Sequence, residues 1–158
     1  KTGWNGHATL TASLPELVMK ILVAADGSAF TKRMLAYLAA HDEWLGGQHE
    51  YTVVFSVMAV PPRAAAALDK TLLTSYYEAE AEKVFKPIRT FFGKQKINAD
   101  FVTKIGHAAE NIAGLAEKGK FDLVMMGSHG HGTLGNLVMG SVATKVMAHC
   151  GTPVLLVR

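Results

Sequence analysis

Five short apolar runs, at residues 20–25, 51–57, 97–103, 122–126 and 154–157, alternate along this chain with segments of helical spacing. Strands that are apolar on both faces, separated by amphipathic helices, are the pattern of βα units wound into a parallel sheet. At 158 residues the chain has room for one such domain, able to bury roughly two-thirds of its unfolded surface. Its 49% hydrophobic and 18% charged residues suit a sheet covered on both sides and argue against disorder. No internal repeat or low-complexity stretch interrupts the alternation.

The helical segments can be placed from spacing and punctuation. Ser28 is positioned to cap a helix with Phe30, Met34, Tyr37, Leu38, His41 and Leu45 on one face, ended by Gly46 and Gly47. "AVPPRAAA" reads as a loop leading into a long helix over about residues 68–92, whose apolar positions include Leu72, Tyr76, Ala79, Ile88 and Phe91. Pro87 falls inside that helix, and an interior proline costs ~3 kcal/mol, which predicts a kink or break near residues 84–86. Residues 108–118 place Ala109, Ile112, Ala113 and Ala116 on one side and stop at Gly119. A last helix, residues 141–149, is expected to bury Val142, Val146 and Met147.

Several function classes are poorly served by this composition. Residues 1–18 lack periodicity and read as an N-terminal extension or a cloning remnant, with Trp4, Leu14 and Leu17 available to pack on a domain spanning residues 19–158. No run reaches the ~18 apolar residues of a membrane span, and no signal-peptide pattern opens the chain, so the expectation is a soluble cytoplasmic protein. The single cysteine, Cys150, excludes an internal disulfide and any multi-cysteine metal site. The net charge of +3 comes from 16 basic and 13 acidic residues scattered without a basic tract, so neither a nucleic acid nor a membrane is expected as partner.

The fourth apolar run leads straight into "GSHGHGTLGNLVMGS", residues 127–141, with five glycines. A strand, a glycine loop and a helix start together can bind phosphate. The first-turn amides of a helix lack intrahelical partners, and glycine permits φ > 0 and close approach of an anion to the main chain. Ser141 follows Gly140 at the expected helix start, offering a cap and a hydroxyl. The competing reading is a turn that only accommodates tight strand-to-helix packing. "GHGTLG" satisfies G-x-G-x-x-G but lacks the further strand and the acidic residue ~20 positions on that a dinucleotide site requires. "GNLVMGS" has the glycine spacing of a P-loop without its lysine. His129 and His131 suggest a metal pair, but no third ligand lies close in sequence.

A third spacing fits closely: Gly127, two residues, Gly130, nine residues, then Gly140-Ser141. It resembles the G-2x-G-9x-G(S/T) signature of the ATP-binding branch of the universal stress protein family. "ILVAADGS" is similar to that family's first strand with its terminal Asp, and "GTPVLLV" to its last strand, so the resemblance covers residues 19–158. It implies an α/β fold with an open parallel five-stranded sheet in the order 3-2-1-4-5, helices on both faces, and usually a homodimer. It also implies ATP held between the first and fourth strands with Mg²⁺ or Mn²⁺ on the phosphates. By the same resemblance Asp26 stands near the ribose and the metal-bridged phosphates, after Ala24 and Ala25 at the adenine wall. Val57 presents its backbone to the adenine edge. Met126, Gly127, His129 and Gly130 surround ribose and phosphate, and Gly140, Ser141, Val142 and Ala143 hold the outer phosphates.

This chain departs from that pattern at His131, where the family often has Lys or Arg just after the second glycine. A largely neutral imidazole brings less positive charge to a triphosphate than a guanidinium does. A hydrolase needs a positioned base and concentrated positive charge for the departing phosphate, yet no Lys or Arg lies between Gly127 and Met139. No catalytic residue is therefore assigned. The expectation is a nucleotide-dependent stress-response sensor or regulator with at most slow ATP hydrolysis, acting on a protein partner the sequence does not name and dimerising through its C-terminal strand. An ATP hydrolase or phosphotransferase, or a scaffold that binds no nucleotide, are the alternatives.

Overall fold

The computed structural model describes residues 17–132 and 138–158. The reading of residues 1–18 as an extension therefore lies outside the described residues, apart from Leu17 and Val18, which are exposed. Strands β1 (Lys20–Ala24), β2 (Glu50–Val57), β3 (Ala99–Ile105), β4 (Leu123–Gly127) and β5 (Val154–Val157) form one parallel sheet in the order β3-β2-β1-β4-β5. This is the predicted order. Helices α1 (Ala29–Ala40), α2 (Asp42–Leu45), α3 (Pro62–Ala66), α4 (Lys70–Lys94), α5 (Ala108–Lys118) and α6 (Ser141–His149) are the helices among the described residues.

The central strands are apolar throughout because both of their faces are covered. Ile21 and Val23 of β1 enter one core with Met34 and Leu38 of α1 and Val84, Phe85, Ile88 and Phe92 of α4. Leu22 and Ala24, pointing the other way by the two-residue period of a strand, enter a second core with Ile112 and Ala116 of α5 and Val146 of α6. α1, α4 and α5 are each anchored by two or more of these side chains, at ~1.5–3 kcal/mol for a fully buried large aliphatic residue.

Local chemistry explains where the elements stop, including places where the sequence reading differs. Ser28 caps α1 as expected, its hydroxyl accepting from the Thr31 amide. The helix ends earlier than predicted, at Ala40, because the His41 ring takes the Tyr37 carbonyl at 2.8 Å, leaving the His41 amide to turn back to Leu38. His41 then opens the short α2, which ends at Leu45 before Gly46. The predicted "AVPPRAAA" loop contains α3, started by Pro62 at its first position, where a missing N–H costs nothing.

The break expected at Pro87 is absent: α4 is one unbroken helix. Pro87 and Lys83 lie on the solvent side, while Val84, Phe85, Ile88 and Phe92 are buried on both sides of the proline. Water can satisfy the freed Lys83 carbonyl, and packing holds the two halves in line. Leu72, Tyr76 and Ala79, expected on the apolar face, are exposed, and the buried face of α4 begins at Ala81. Ile97 belongs to the stop signal of α4 and not to β3: Lys96 takes φ +56° and the Ile97 amide returns to the Phe92 carbonyl at 2.9 Å. β3 consequently runs two residues later than predicted. The same device ends α5, with Lys120 at φ +53° and the Phe121 amide on the Ala116 carbonyl. In α6, Val146 is buried as expected, but Val142 and Met147 are 37% and 50% exposed, Val142 because it stands at the mouth of the site.

Candidate functional site

The sheet order reverses its direction of growth between β1 and β4, so the loops leaving these neighbouring strands diverge. A crevice at the carboxyl ends of the strands is the geometric result. Here it is a cavity of about 350 Å³, within the ordinary range for small-molecule sites. Its apolar floor follows from strand register: Ala24 is paired with Val54 on one side and Met126 on the other, and Ile112 reaches in from α5. Alanines at positions 24 and 25 leave the room that larger side chains would fill.

Asp26 forms one lip, and its position is fixed three times over. The Asp26 amide donates to Thr31 Oγ1 at 3.1 Å, while Asp26 Oδ1 accepts from the Thr31 hydroxyl at 2.9 Å and from the Ser28 amide at 2.9 Å. Gly27 makes this turn with φ +76°, a conformation that a residue with a Cβ adopts only under strain. The other lip is the loop after β4. Ser128, buried, donates its amide to the Val157 carbonyl and accepts from the Gly140 amide, both at 2.8 Å. His131 reaches across the mouth, with Nε2 2.7 Å from the Asp26 carbonyl oxygen. A carbonyl only accepts, so Nε2 carries the proton.

Of the two reasons the sequence offered for the motif glycines, φ > 0 and close approach to the main chain, the first does not apply; crowding by neighbouring residues does. None of Gly127, Gly130 and Gly140 has a positive φ. A Cβ at Gly130 would sit 2.6 Å from Asp26 Oδ2, and one at Gly140 would sit 3.0 Å from His129 Cα. At Gly127 it would meet Phe30 Cβ at 2.6 Å. The nine-residue spacing brings Gly140 back beside residues 128–130, so the loop closes on itself with its two ends in contact.

Gly140 is the N-cap of α6, and Ser141 is its first helical residue, one place later than a capping serine. The first intrahelical bond runs from the Thr144 amide to the Gly140 carbonyl at 3.0 Å. The amides of Ser141, Val142 and Ala143 precede it, and all three residues line the cavity. The Gly140 amide, in contrast, is spent on Ser128. Three backbone donors at a positive helix end thus border an apolar cavity.

Most of the predicted site residues meet here: Ala24, Ala25, Asp26, Met126, Gly127, His129, Gly130, Gly140, Ser141, Val142 and Ala143 all line the cavity. Val57 does not. It pairs with Ile105 on the β3 side of β2, and its carbonyl accepts from the Gly106 amide at 2.9 Å, so β2 meets the cavity through Val54, Phe55 and Ser56 instead. Sequence reasoning also missed Thr31, which lines the cavity and orients Asp26. Its position three residues after a capping serine made it look like helix alone. Among the described residues no group of three or more His, Cys, Asp or Glu side chains could hold a metal ion by itself. Asp26, with Oδ1 doubly engaged and Oδ2 against Gly130, fits as one ligand of a cation whose other ligands are phosphate oxygens and water. No helix among the described residues is long and apolar enough to cross a membrane.

Comparison with known proteins agrees with this architecture. The model of the universal stress protein family matches residues 18–158. A universal stress protein of Thermus aquaticus, from the QAH/OAS sulfhydrylase 3' region, is 35% identical over 138 residues, covering 87% of this chain and 97% of the relative. The universal stress protein Slr1230 of Synechocystis is 30% identical over 143 residues, or 90% of this chain, which spans 44% of that longer relative. Among solved structures, the Archaeoglobus fulgidus universal stress protein in complex with dAMP superposes with a TM-score of 0.63 at 17% identity, covering 89% of this chain and 98% of the other. The Arabidopsis thaliana family member with AMP bound gives 0.63 at 12%, covering 88% and 90%, and a universal stress protein in complex with cAMP gives 0.59 at 16%, covering 89% and 96%. At such identities these structures speak for the fold. Family match, relatives and sheet order converge, and the chain belongs to the universal stress protein family.

Proposed function

We propose that this protein binds an adenine nucleotide in the crevice between β1 and β4 and acts as a nucleotide-dependent sensor or regulator in the stress response. The observation that carries the reading is the apposition of three first-turn amides of α6 with an apolar cavity that two alanines keep open. The base rests on Ala24, Ala25, Val54 and Met126, and the phosphates meet Ser141, Val142 and Ala143. ATP with Mg²⁺ or Mn²⁺ is the occupant that the motif spacing favours, and the dAMP, AMP and cAMP complexes of related folds support the adenine nucleotide class. Asp26 would hold the cation through Oδ2. β5 is an edge strand with partly buried Leu155 and Leu156, which supports a homodimer formed by pairing with its twofold copy.

Hydrolysis, if present, is slow, because no Lys or Arg among the described residues lines the cavity to stabilise a departing phosphate. The deciding experiment is to denature freshly purified protein and chromatograph the released small molecules. An adenine nucleotide in near-stoichiometric amount is expected. An empty protein with no thermal shift on adding ATP and Mg²⁺, AMP or cAMP refutes the reading. Steady phosphate release well above that of Gly140→Val and Asp26→Ala variants would make it an enzyme instead.

A further inference from the structure

The charge of the cavity wall is one-sided. Among the described residues that line it, Asp26 alone carries a formal charge, and the sequence from Gly127 to Thr144 contains no Lys, Arg, Asp or Glu. The next cation along α6, Lys145, lines a neighbouring groove with His107 and Glu110. A phosphate in this site would therefore meet no Lys or Arg, and its nearest fixed donors would be the first-turn amides of α6. A helix start is equivalent to about half a positive charge, which suits one phosphate group and falls far short of three. Asp26 stands on the same side: its Oδ2 lies against Gly130, and the Gly130 amide nitrogen lies 3.8 Å from the Cβ position of Gly140, the residue that caps α6. The bonds from Thr31 and Ser28 to Oδ1 keep the carboxylate from turning away.

We infer that Asp26 is a charge filter on the nucleotide. The site accepts adenylates with a single phosphate, 5′ or cyclic, unaided, and accepts a polyphosphate only as its divalent-cation complex. The inference rests on the adenine-nucleotide reading above and says which nucleotides satisfy it. A free triphosphate brings about four negative charges beside a carboxylate, whereas a bound divalent cation cancels two of them and turns Asp26 from a repelling charge into a ligand.

The test is calorimetric titration of adenosine, cAMP, AMP and ATP at pH 8, each in EDTA and in excess Mg²⁺, with wild type and Asp26→Asn. In EDTA, ATP should bind at least about tenfold more weakly than AMP, and Mg²⁺ should bring it into the AMP range. Asn keeps the Oδ1 acceptor and the shape of Asp. It should tighten ATP in EDTA about tenfold relative to adenosine on the same variant, and an unaltered circular dichroism spectrum reports that the fold is intact. ATP binding as tightly as AMP without a divalent cation, or an ATP-to-AMP ratio that ignores Asp26→Asn, overturns the filter and leaves the adenine-nucleotide reading standing. If adenosine and every nucleotide fail to bind, that reading falls and the filter falls with it.

Discussion

Replacing Gly130 by alanine tests the closeness of the two lips. The new Cβ would lie 2.6 Å from Asp26 Oδ2, about an ångström inside a comfortable non-bonded contact. A free carboxylate would rotate aside at little cost. This one is pinned, because Oδ1 accepts from the Ser28 amide and the Thr31 hydroxyl, both at 2.9 Å, and a rotation large enough to clear the methyl group breaks at least one of these bonds. A hydrogen bond to an ionised group contributes ~1.5–3 kcal/mol, against which a glycine-to-alanine change recovers ~0.4–1 kcal/mol from the unfolded chain. The net expectation is a loss of about 1–2 kcal/mol in urea denaturation, or a comparable weakening of AMP, roughly five- to thirty-fold, if the lips part and the cost appears on binding. The control is Asp26→Ala, which removes the obstructing oxygen: in that background Gly130→Ala should cost almost nothing, giving a coupling of about 1–2 kcal/mol in the double-mutant cycle. Additive effects in the cycle, or a Gly130→Ala protein with unchanged stability and AMP affinity, would refute the steric account of this glycine.

Other perturbations probe the frame. Burial pushes the Tyr51 phenol up to about 12, so its folded-state ionisation is suppressed relative to the unfolded chain at 10.0; stability should fall by about 2–3 kcal/mol as pH rises from 10 to 12, and Tyr51→Phe should flatten that limb in pH-dependent denaturation. Gly27→Val should destabilise by about 1–2 kcal/mol, since φ +76° disfavours any residue with a Cβ and Val84 already lies 3.4 Å from the Cβ position; an unaltered melting temperature would contradict the strained-turn assignment. Leu156→Asp on the edge strand should shift sedimentation from dimer to monomer with little change in the far-ultraviolet circular dichroism spectrum, and an unchanged sedimentation profile would remove β5 as the interface.

The sheet and the glycine lip were legible in the sequence because both are written in local spacing. Two-sided apolar runs announced buried parallel strands, and the intervals from Gly127 to Gly130 to Gly140 carried the resemblance that set this loop opposite Asp26. What escaped notice depends on contacts between distant residues or on competition for one carbonyl. The end of α1 turns on the His41 ring taking the Tyr37 acceptor, which no periodicity records. Pro87 is tolerated because of which face it occupies, and Val57 leaves the site because Gly106 claims its carbonyl. The steric need for Gly127 and Gly130 was not legible for a similar reason: it is set by Phe30 and Asp26, about a hundred positions away in the chain.

Ser128 is a mechanical junction between β5 and α6. One buried residue holds the tip of the final strand by its amide and the cap of α6 by its carbonyl. The outer edge of the sheet and the first turn of α6 thus hang from a common peg, with no intervening side chain to absorb strain. Any partner that tugs β5 loads the same residue that a ligand at α6 would load, so the two events share one lever arm.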